Sequence, residues 1–439
     1  MSSHNKISAD VPWKRSERIL FRIIFIYVFI YIFPLDYTYF QKVFAIHWSA
    51  FKFQDINTIG NYSPKLHENV RGNDIIGFIY GWGIAILGAL IWSLIDRKRQ
   101  QYRVLYYWMR VALRYKLAAV MFFYSFIKVF PQQMPYPSLS WLNTNLGDFN
   151  AGRLFWITTG VSQSYEIFTG ILETIVAFLL FFRRTATFAN LAYLGIMINI
   201  AAINAGYDAG ILTVCINLVI LSAILLAYDA RKLWAFLIQR KTVALDDDIP
   251  RYSRSWQPRV RAWAKFAFIF FFFGVRGFKT YESYAAGGFR LPVKPGLPAA
   301  AGYYKVADFQ VNHHSIPLSD PDTARWQNVV FEKWNSLSIK IPHTVKLFIG
   351  DRMSNYEVFG TAGRDYYTYR FDTVKNTLAL RHQTDSTQQL IFSYKRPDPS
   401  TIILSGIDHR KDSLYVVLNK VDRKYPMVEG RYDGKYIAY

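Results

Sequence analysis

Seven long apolar runs, separated by loops whose Lys and Arg content alternates between high and low, constrain this chain more than any other feature. About 20 apolar residues in a helix, at ~1.5 Å per residue, cross the ~30 Å hydrocarbon core of a bilayer. Helices are expected because a span in lipid must satisfy its own backbone hydrogen bonds. The sequence therefore predicts a membrane α-helical bundle with seven transmembrane helices, at Ile19–Leu35, Asp74–Ile95, Trp108–Phe130, Ser162–Phe182, Ala186–Ile203, Ala209–Ala227 and Trp263–Tyr281.

The basic residues of the short loops predict the orientation of these helices. One alternate set of loops contains nineteen Lys and Arg residues, and the opposite set contains five. Loops rich in Lys and Arg stay in the cytoplasm. We therefore expect a cytoplasmic N-terminus at residues 1–18, a transmembrane domain at residues 19–282 with a basic cytoplasmic segment at 229–262, and an extracytoplasmic location for everything after Tyr281.

The last third of the chain has a different pattern. Gly and Pro residues predict a linker at residues 283–302. Beyond it, apolar and polar residues alternate in short runs, which are divided by turn sequences such as Lys375-Asn376. Residues 303–439 are therefore predicted to form an extracytoplasmic antiparallel β domain, either a barrel or a sandwich.

Composition argues against several classes of function. The formal charge of +21 suits a nucleic-acid-binding protein, but most of the excess lies in the loops predicted to be cytoplasmic. There it sets topology and meets anionic lipid headgroups, so we expect the lipid bilayer and no nucleic acid as a partner. The single cysteine, Cys215, excludes a disulfide framework and iron–sulfur ligation within this chain. No ligand spacing or sequence motif indicates a metal, haem or nucleotide site.

Ionisable residues inside the apolar runs are candidates for function, because a charge in the membrane is unfavourable unless it is used or paired. Lys128 ends the third run, in an aromatic stretch that includes Tyr124. As a partly desolvated amine it would act as a base or pair with an anionic ligand. The alternative is a lysine that snorkels to the outer headgroups.

The fourth run places Gln163, Glu166, Gly170 and Glu173 on one helical face. By depth, Glu166 is predicted to be the partner of Lys128, whereas Glu173 is predicted to lie near the middle of the membrane. The alternative for both carboxylates is a satisfied hydrogen bond between helices.

Further polar residues, Asn199, Asn204 and Asp208, lie toward the outer half of the fifth run and its connection to the sixth. Asparagine in a span is more often a packing contact than a ligand. Together with Lys128 and Glu166, however, these side chains predict an outward-facing pocket for an amphipathic, lipid-soluble ligand between the third and sixth runs.

The segment Tyr115–Ala227, within a core of about residues 108–228, resembles the four-helix DoxX family. The resemblance rests on the aromatic helix that ends in Lys128, the loop after it, the helix bearing Glu166 and Glu173, and Arg183-Arg184-Thr185-Ala186 opening the next run. DoxX-like proteins are associated with envelope redox assemblies and are distantly similar to the membrane part of vitamin K-dependent γ-glutamyl carboxylase. In that comparison Lys128 would correspond to the proposed base. Quinone handling is the property that the two relatives share.

The sequence thus predicts a DoxX-like subunit of a cell-envelope redox assembly in the bacterial inner membrane, with a quinone as its ligand. In this hypothesis Lys128 polarises or deprotonates a quinol oxygen, Glu166 orients Lys128 or relays its proton, and Glu173 supplies a deeper proton position. Tyr124, Gln163, Asn199, Asn204 and Asp208 would bind the ligand. The alternative is a non-enzymatic membrane anchor or assembly factor whose outer β domain binds a periplasmic protein partner.

Overall fold

The computed structural model describes residues 12–60, 62–67, 74–243, 254–318, 325–342, 346–352 and 354–430. Parts of three predicted segments lie outside the described residues: the cytoplasmic N-terminus at 1–11, the basic cytoplasmic segment at 244–253 and the β domain at 431–439. The chain divides into two compact units. The helical unit comprises Met1–Phe130 and Phe168–Glu282, and the barrel unit comprises Pro131–Ile167 and Ser283–Tyr439.

Helices form the whole framework of the helical unit. In chain order, the helices of the described protein are α1 (Arg15–Ile32), α2 (Tyr37–Phe44), α3 (Phe53–Gly60), α4 (Ile75–Ile95), α5 (Arg103–Val129), α6 (Leu139–Leu142), α7 (Ala151–Gly160), α8 (Gln163–Leu179), α9 (Arg183–Gly206), α10 (Leu212–Ala227), α11 (Ala230–Leu237), α12 (Gln257–Ile269), α13 (Arg276–Ala286) and α14 (Pro426–Glu429). A π-helical turn, Phe270–Val275, joins α12 to α13. The helices α6, α7 and α14 belong to the barrel unit.

Small residues set the packing of α4. Its buried positions are Gly77, Gly81, Ala85 and Ala89, at the four-residue spacing of one helical face. A Cβ atom on Gly81 would lie 3.4 Å from the Tyr31 hydroxyl of α1. This stripe therefore lets the α1 and α4 backbones approach closely.

The prediction of seven transmembrane helices is wrong. Within the described residues, three helical segments are long and apolar enough to cross a membrane: Arg15–Phe44, Ile75–Ile95 and Arg183–Gly206. A fourth span results if α10 and α11, which meet at a bend of 75°, are counted as one. The C-terminal domain was predicted to be extracytoplasmic because seven spans, an odd number, would follow a cytoplasmic N-terminus. With a different number of spans this location no longer follows.

The other predicted spans fail because their helices are amphipathic, short or interrupted. The 27-residue helix α5 carries five basic residues and buries one face within the helical unit. The helix α8 has only 17 residues and includes Glu166 and Glu173. The seventh run is divided into α12, the π-helical turn and α13, and it contains Lys265, Arg276 and Lys279.

Antiparallel strands in the C-terminal segment close into an eight-stranded barrel. The strands are β1 (Gly302–Val311), β2 (His314–Ser315), β3 (Asn328–Phe331), β4 (Ser336–Lys340), β5 (Asp365–Asp372), β6 (Thr377–His382), β7 (Gln389–Asp398), β8 (Thr401–Ile407) and β9 (Ser413–Val421). Successive strands from β3 to β9 pair as neighbours, and β1 closes the barrel by pairing with both β3 and β9. The two-residue strand β2 pairs only with the end of β1. Of the two architectures left open by the sequence, the barrel is the one that forms.

Large side chains fill the barrel. Tyr304, Phe309, Phe331 and Phe392 are almost fully buried there. Strand β7 alternates buried and exposed residues along most of its length, as one face turned inward requires. The interior is thus a packed core, as is usual for barrels of about eight strands.

Residues 131–161, predicted to be an outer loop between spans, belong to the barrel unit, and so do residues 162–167, predicted to begin the fourth span. Phe149 forms a bridge with Thr361, and the Trp141 indole donates a hydrogen bond of 2.8 Å to the Glu357 carbonyl. The predicted linker is also incorporated, because the Leu297 amide donates to the Tyr369 hydroxyl at 2.8 Å. The β domain is therefore larger than residues 303–439.

Candidate functional site

A buried ion pair joins two helices in the helical unit. Lys128 lies in the last turn of α5 and is 7% exposed, and Glu173 of α8 is 4% exposed. The Lys128 ammonium donates a hydrogen bond to Glu173 Oε1. Removing either partner would leave an isolated charge in a largely apolar interior, which is strongly unfavourable.

Gly170 allows the two helices to meet at this pair. A Cβ atom there would lie 2.6 Å from the Val129 amide nitrogen and 2.8 Å from the Lys128 Cβ. Since real Cβ atoms essentially never come this close, position 170 requires glycine as long as the helices keep their present distance. The approach brings Glu173, almost one turn further along α8, against the Lys128 side chain.

Glu166 has different partners from those predicted. It is fully buried, and its Oε1 accepts hydrogen bonds of 3.1 Å from the Gln133 and Met134 amides. Arg290 of the same unit is near enough to interact with it electrostatically. Lys128 is paired with Glu173, so the predicted pairing of Lys128 with Glu166 is wrong. The Glu166 carboxylate instead fixes the start of the segment that follows α5.

Two phenols and the cysteine surround the ion pair. Tyr193 of α9 is fully buried and is near enough to Glu173, Tyr124 and Cys215 to interact electrostatically with each. Cys215 in turn lies within electrostatic range of Lys128. Among the described residues, Glu173 Oε2 and the Tyr193 hydroxyl have no hydrogen-bond partner. The cluster therefore contains polar atoms that the described residues leave unsatisfied.

Arg276 extends this cluster and was missed as a candidate in the sequence. Its side chain is fully buried, lies 4.6 Å from the centre of the Phe123 ring and interacts electrostatically with Tyr124. One Nη donates a hydrogen bond of 2.6 Å to Asn57 Oδ1, whereas Nε and the other Nη have no partner in the described part of the chain. Like Lys128, Arg276 is a basic residue inside an apolar run, and this pattern could have identified it in the sequence.

Most of the other predicted ligand-binding residues lie outside the cluster. Gln163, Asn199 and Asp208 are exposed. Asn204 is buried, but it serves the connection between α9 and α10: its Oδ1 accepts from the Ile211 amide at 3.3 Å and its Nδ2 donates to the Ile200 carbonyl at 2.9 Å. Of the predicted residues, Lys128, Glu173 and Tyr124 are thus brought together.

The cluster is suited to proton exchange with a small ligand. An ammonium, a carboxylate and two phenols can donate or accept protons and hydrogen bonds. Within the described residues, no group of three His, Cys, Asp or Glu side chains could hold a metal ion.

The barrel unit has a separate cleft. Its volume is about 540 Å³, and Arg290, Tyr356, Glu357, His382 and Gln383 are among the residues that line it. Glu357 accepts hydrogen bonds of 2.7 Å from Trp334 Nε1, Ser336 Oγ and Gln383 Nε2. Burial raises the pKa of the Glu357 carboxyl, and these hydrogen bonds oppose the shift. The cleft is polar and open, in contrast to the apolar surroundings of Lys128.

Comparison with known proteins gives one partial match. The chain is 36% identical over 85 residues to the uncharacterized protein YwoB of Bacillus subtilis strain 168, a stretch that covers 19% of this chain and 55% of that protein. The chain therefore spans about half the length of this curated relative. No family model and no solved structure matches the chain. The resemblance to DoxX stays a prediction.

Proposed function

We propose that this is an integral membrane protein that binds a quinone-like, lipophilic ligand at the Lys128–Glu173 cluster and exchanges a proton with it. The observation that carries the proposal is the group of unsatisfied polar atoms around a buried ion pair. Buried polar groups are almost always hydrogen-bonded, so Glu173 Oε2 and the Tyr193 hydroxyl require a further partner. A ligand with oxygen atoms would supply it.

The residues of the cluster fit such a ligand. The Lys128 ammonium and the Tyr193 hydroxyl are donors for a carbonyl oxygen, and Glu173 Oε2 is an acceptor for a hydroxyl group. The neighbouring apolar core, which includes Phe122 and Phe126 of α5, suits a ring and an isoprenoid chain. A quinone would contribute reversible two-electron chemistry. With the reduced quinol, the protein would orient the ring and accept a hydroxyl proton at Glu173, and the Lys128 ammonium would compensate the negative charge left on the quinol oxygen.

Ligand retention by the full-length protein tests this proposal. After purification from native membranes in mild detergent, isoprenoid quinones extracted from the protein are quantified by mass spectrometry. We expect a nearly stoichiometric quinone in the wild type and about tenfold less in Lys128→Met and Glu173→Gln, since each removes a charge-assisted hydrogen bond. Wild-type protein that neither copurifies with quinone nor binds it when it is added would refute the proposal.

Lys116→Met is the matched control for that experiment. Lys116 lies three turns before Lys128 on the same helix and donates a hydrogen bond of 2.6 Å to the Tyr62 carbonyl. The same substitution there should leave quinone retention unchanged. Equal losses in Lys116→Met and Lys128→Met would mean that general destabilisation, rather than the cluster, governs retention.

Proton exchange is tested separately by calorimetry. Quinol is titrated into the wild type in two buffers of different ionisation enthalpy. If Glu173 takes up the hydroxyl proton without release to solvent, the measured enthalpy is the same in both buffers for the wild type. As a control, Glu173→Gln protein that still binds is titrated with a quinone, which has no hydroxyl proton. Its binding enthalpy should again be the same in the two buffers. A buffer-dependent wild-type enthalpy would contradict the assigned acceptor.

Membrane placement is part of the proposal, and the unit boundaries allow a test that does not depend on the number of spans. Residues 131–167 and 283–430 belong to one unit, so both must lie on the same side of the bilayer. Single cysteines are introduced as Leu146→Cys and Val374→Cys, at exposed positions, in a Cys215→Ala background. Both should react equally with an impermeant thiol reagent in intact cells. Labelling of only one of them would refute the placement of both segments on the same side of the bilayer.

The polar cleft of the barrel unit favours a second candidate function, the binding of a protein partner. Its lining includes the exposed or partly exposed Thr384 and Ser386 on the connection between β6 and β7. A photo-crosslinking amino acid at Thr384 should then give a discrete adduct in native membranes, while the same group at Val374 should not. A stable complex together with a bundle free of quinone would favour this function over the first.

A further inference from the structure

A cavity of the helical unit has five basic residues in its lining. Its volume is about 390 Å³, and it lies where α5, α9, α10 and α11 come together. Its basic lining, here called the basic pocket, consists of Arg110, Arg114, Arg183, Arg184 and Lys232. Ligand sites in proteins typically enclose ~300–1,000 Å³, so the cavity is large enough for a small anion or a headgroup.

Positive charge in the basic pocket exceeds negative charge. The carboxylate in the lining is Asp229, whose Oδ2 accepts a hydrogen bond of 2.7 Å from Thr187 Oγ1. One carboxylate cannot neutralise five cationic side chains. Like charges held around one cavity repel each other, and a bound anion would relieve that repulsion.

The arginines of the basic pocket have different tasks. Arg114 donates hydrogen bonds of 3.1 and 3.3 Å to the Leu180 and Phe181 carbonyls, so it holds the end of the preceding helical segment. Arg110 stacks on Tyr228, with its guanidinium carbon 3.3 Å from the ring centre. Its buried Nε has no hydrogen-bond partner in the described part of the chain. Stacking fixes the guanidinium in place and leaves Nε available to a ligand.

The start of α9 adds to the attraction for an anion. This helix begins at Arg183, and the residue before it, Phe182, offers no side-chain cap for the first amides. The N-terminus of a helix carries a partial positive charge and unpaired N–H groups, both of which favour an anion. The helix end therefore reinforces the arginines, and the apolar lining by Val111, Leu225 and Leu226 provides a surface beside the charged groups.

We propose that the basic pocket binds a phosphate group, with Arg110 and Lys232 among its ligands. Planar guanidinium groups bind phosphate oxygens in pairs, and lysine acts as a point charge. The phosphate belongs either to an anionic phospholipid headgroup or to a small soluble phosphate. Basic pockets between membrane helices are a known mode of anionic lipid recognition. This site is independent of the function proposed for Lys128 and Glu173.

Thermal unfolding of the full-length protein in detergent tests the site and distinguishes the two sources. Tryptophan fluorescence gives the Tm as inorganic phosphate, phosphatidylglycerol or zwitterionic phosphatidylcholine is added. We expect phosphate, phosphatidylglycerol or both to raise the Tm, because a ligand that binds only the folded protein stabilises it. A response to phosphatidylglycerol alone identifies a lipid headgroup, and a response to phosphate alone identifies a soluble ligand. No response to either would overturn the proposal.

The double variant Arg110→Gln/Lys232→Gln should raise the half-saturating concentration of the active probe at least about tenfold, since each change removes a charged donor. Arg97→Gln/Lys98→Gln is the matched control, because it removes the same charge from exposed positions outside the cavity. Equal weakening by both double variants would show general charge attraction and would overturn the site.

A measurement on the wild type keeps the test decisive if the pocket variant does not fold. Arginine is modified with phenylglyoxal, and the modified positions are mapped by mass spectrometry. The active probe should protect Arg110 and Arg183 at least about tenfold more than Arg97. Equal modification of Arg110 with and without the probe would refute binding at this pocket.

Discussion

Glu332 should make the stability of the barrel unit depend on pH in an unusual direction. This residue follows β3 and is 2% exposed. Its carboxylate oxygens accept hydrogen bonds from the Leu139 amide at 3.2 Å and the Ser140 amide at 2.7 Å. Burial, helped by the nearby charge of Glu357 and opposed by these hydrogen bonds, raises the pKa of Glu332 from 4.5 to about 7.

The size of the effect follows from the pKa difference. Because the folded protein holds this proton more tightly than the unfolded chain, the contribution of Glu332 to stability is fully present below about pH 4.5. It is lost as the pH rises through about 7. A tenfold change in proton affinity corresponds to about 1.4 kcal/mol, so the difference between a pKa of 4.5 and one of about 7 contributes about 3.5 kcal/mol to the free energy of unfolding.

Pulse proteolysis in urea, with detection of a C-terminal tag, measures the barrel unit within the full-length protein. At about pH 8 the free energy of unfolding should be about 2.5 kcal/mol lower than at about pH 5, because the carboxyl of the unfolded chain is already mostly ionised at pH 5. The carboxylates Asp372, Asp385 and Asp398, whose pKa values are lowered by hydrogen bonds to nearby backbone and hydroxyl groups, titrate below this interval. These three carboxylates therefore do not contribute to the slope in this interval.

Glu332→Gln should abolish most of this pH dependence, and Glu357, whose pKa is also raised by burial, contributes to the remainder. Asp422→Asn is the matched control, because it makes the same chemical change at an exposed position and should leave the wild-type slope intact. A Glu332→Gln protein with the full wild-type slope, or a wild type that becomes more stable as the pH rises, would refute the reasoning.

Three further predictions concern packing and buried charge. Lys128→Met and Glu173→Gln should each lower the free energy of unfolding by about 3–5 kcal/mol, and the double variant should lower it by less than the sum. Denaturation of the four proteins measures this, and strictly additive losses would contradict a shared ion pair. Gly170→Ala should lower the Tm because the new methyl group overlaps α5. Gly195→Ala should be tolerated, because no atom lies within 4 Å of the Cβ position there. Equal Tm values for the two variants would contradict this. Arg364→Met should destabilise the barrel unit by about 3 kcal/mol or more in pulse proteolysis, since it leaves several buried acceptors unpaired; an unchanged urea midpoint would contradict it.

For α8, the spacing of residues along the helix correctly predicted which side chains share one face. The spacing of Glu166, Gly170 and Glu173 puts them on one face because the helical period is fixed by backbone geometry, and the structure buries all three. The choice between Glu166 and Glu173 as the partner of Lys128 depends on how two helices approach each other. Gly170 sets that approach. The predicted partner was chosen by its depth in the membrane, and depth does not reveal how closely the two helices approach.

The number of spans was overestimated because apolar content does not reveal what a helix is packed against. The helix α5 buries residues such as Leu113, Leu117 and Phe122 against neighbouring helices while carrying basic residues elsewhere on its surface. A helix with one face buried in protein and a helix surrounded by lipid have similar average composition over a short window. The alternation of basic loops then assigned sides to segments that do not meet the criteria for spans.

The strands were predictable from period-two alternation, but closure of the barrel was not. Closure requires β1 to pair with β9, which lies about 100 residues further along the chain, and no local pattern specifies such a partner. The same holds for residues 131–167. Their contribution to the barrel unit depends on contacts such as that between Phe149 and Thr361, which are distant in sequence.

Two buried arginines differ in how far the described residues satisfy them, and this difference supports the proposed site in the helical unit. Arg364 is almost fully buried in the barrel unit, and its guanidinium donates to Ser338 Oγ, the Ser338 carbonyl, Asn328 Oδ1 and the Asn143 carbonyl. A charge with this many partners fixes a structure and needs no ligand. Arg276 is equally buried, but two of its three nitrogen atoms have no hydrogen-bond partner among the described residues, and the same is true of Glu173 Oε2 and the Tyr193 hydroxyl nearby. Since burial without partners is unfavourable, a fold that leaves several such atoms in one region gains stability when a polar ligand enters it.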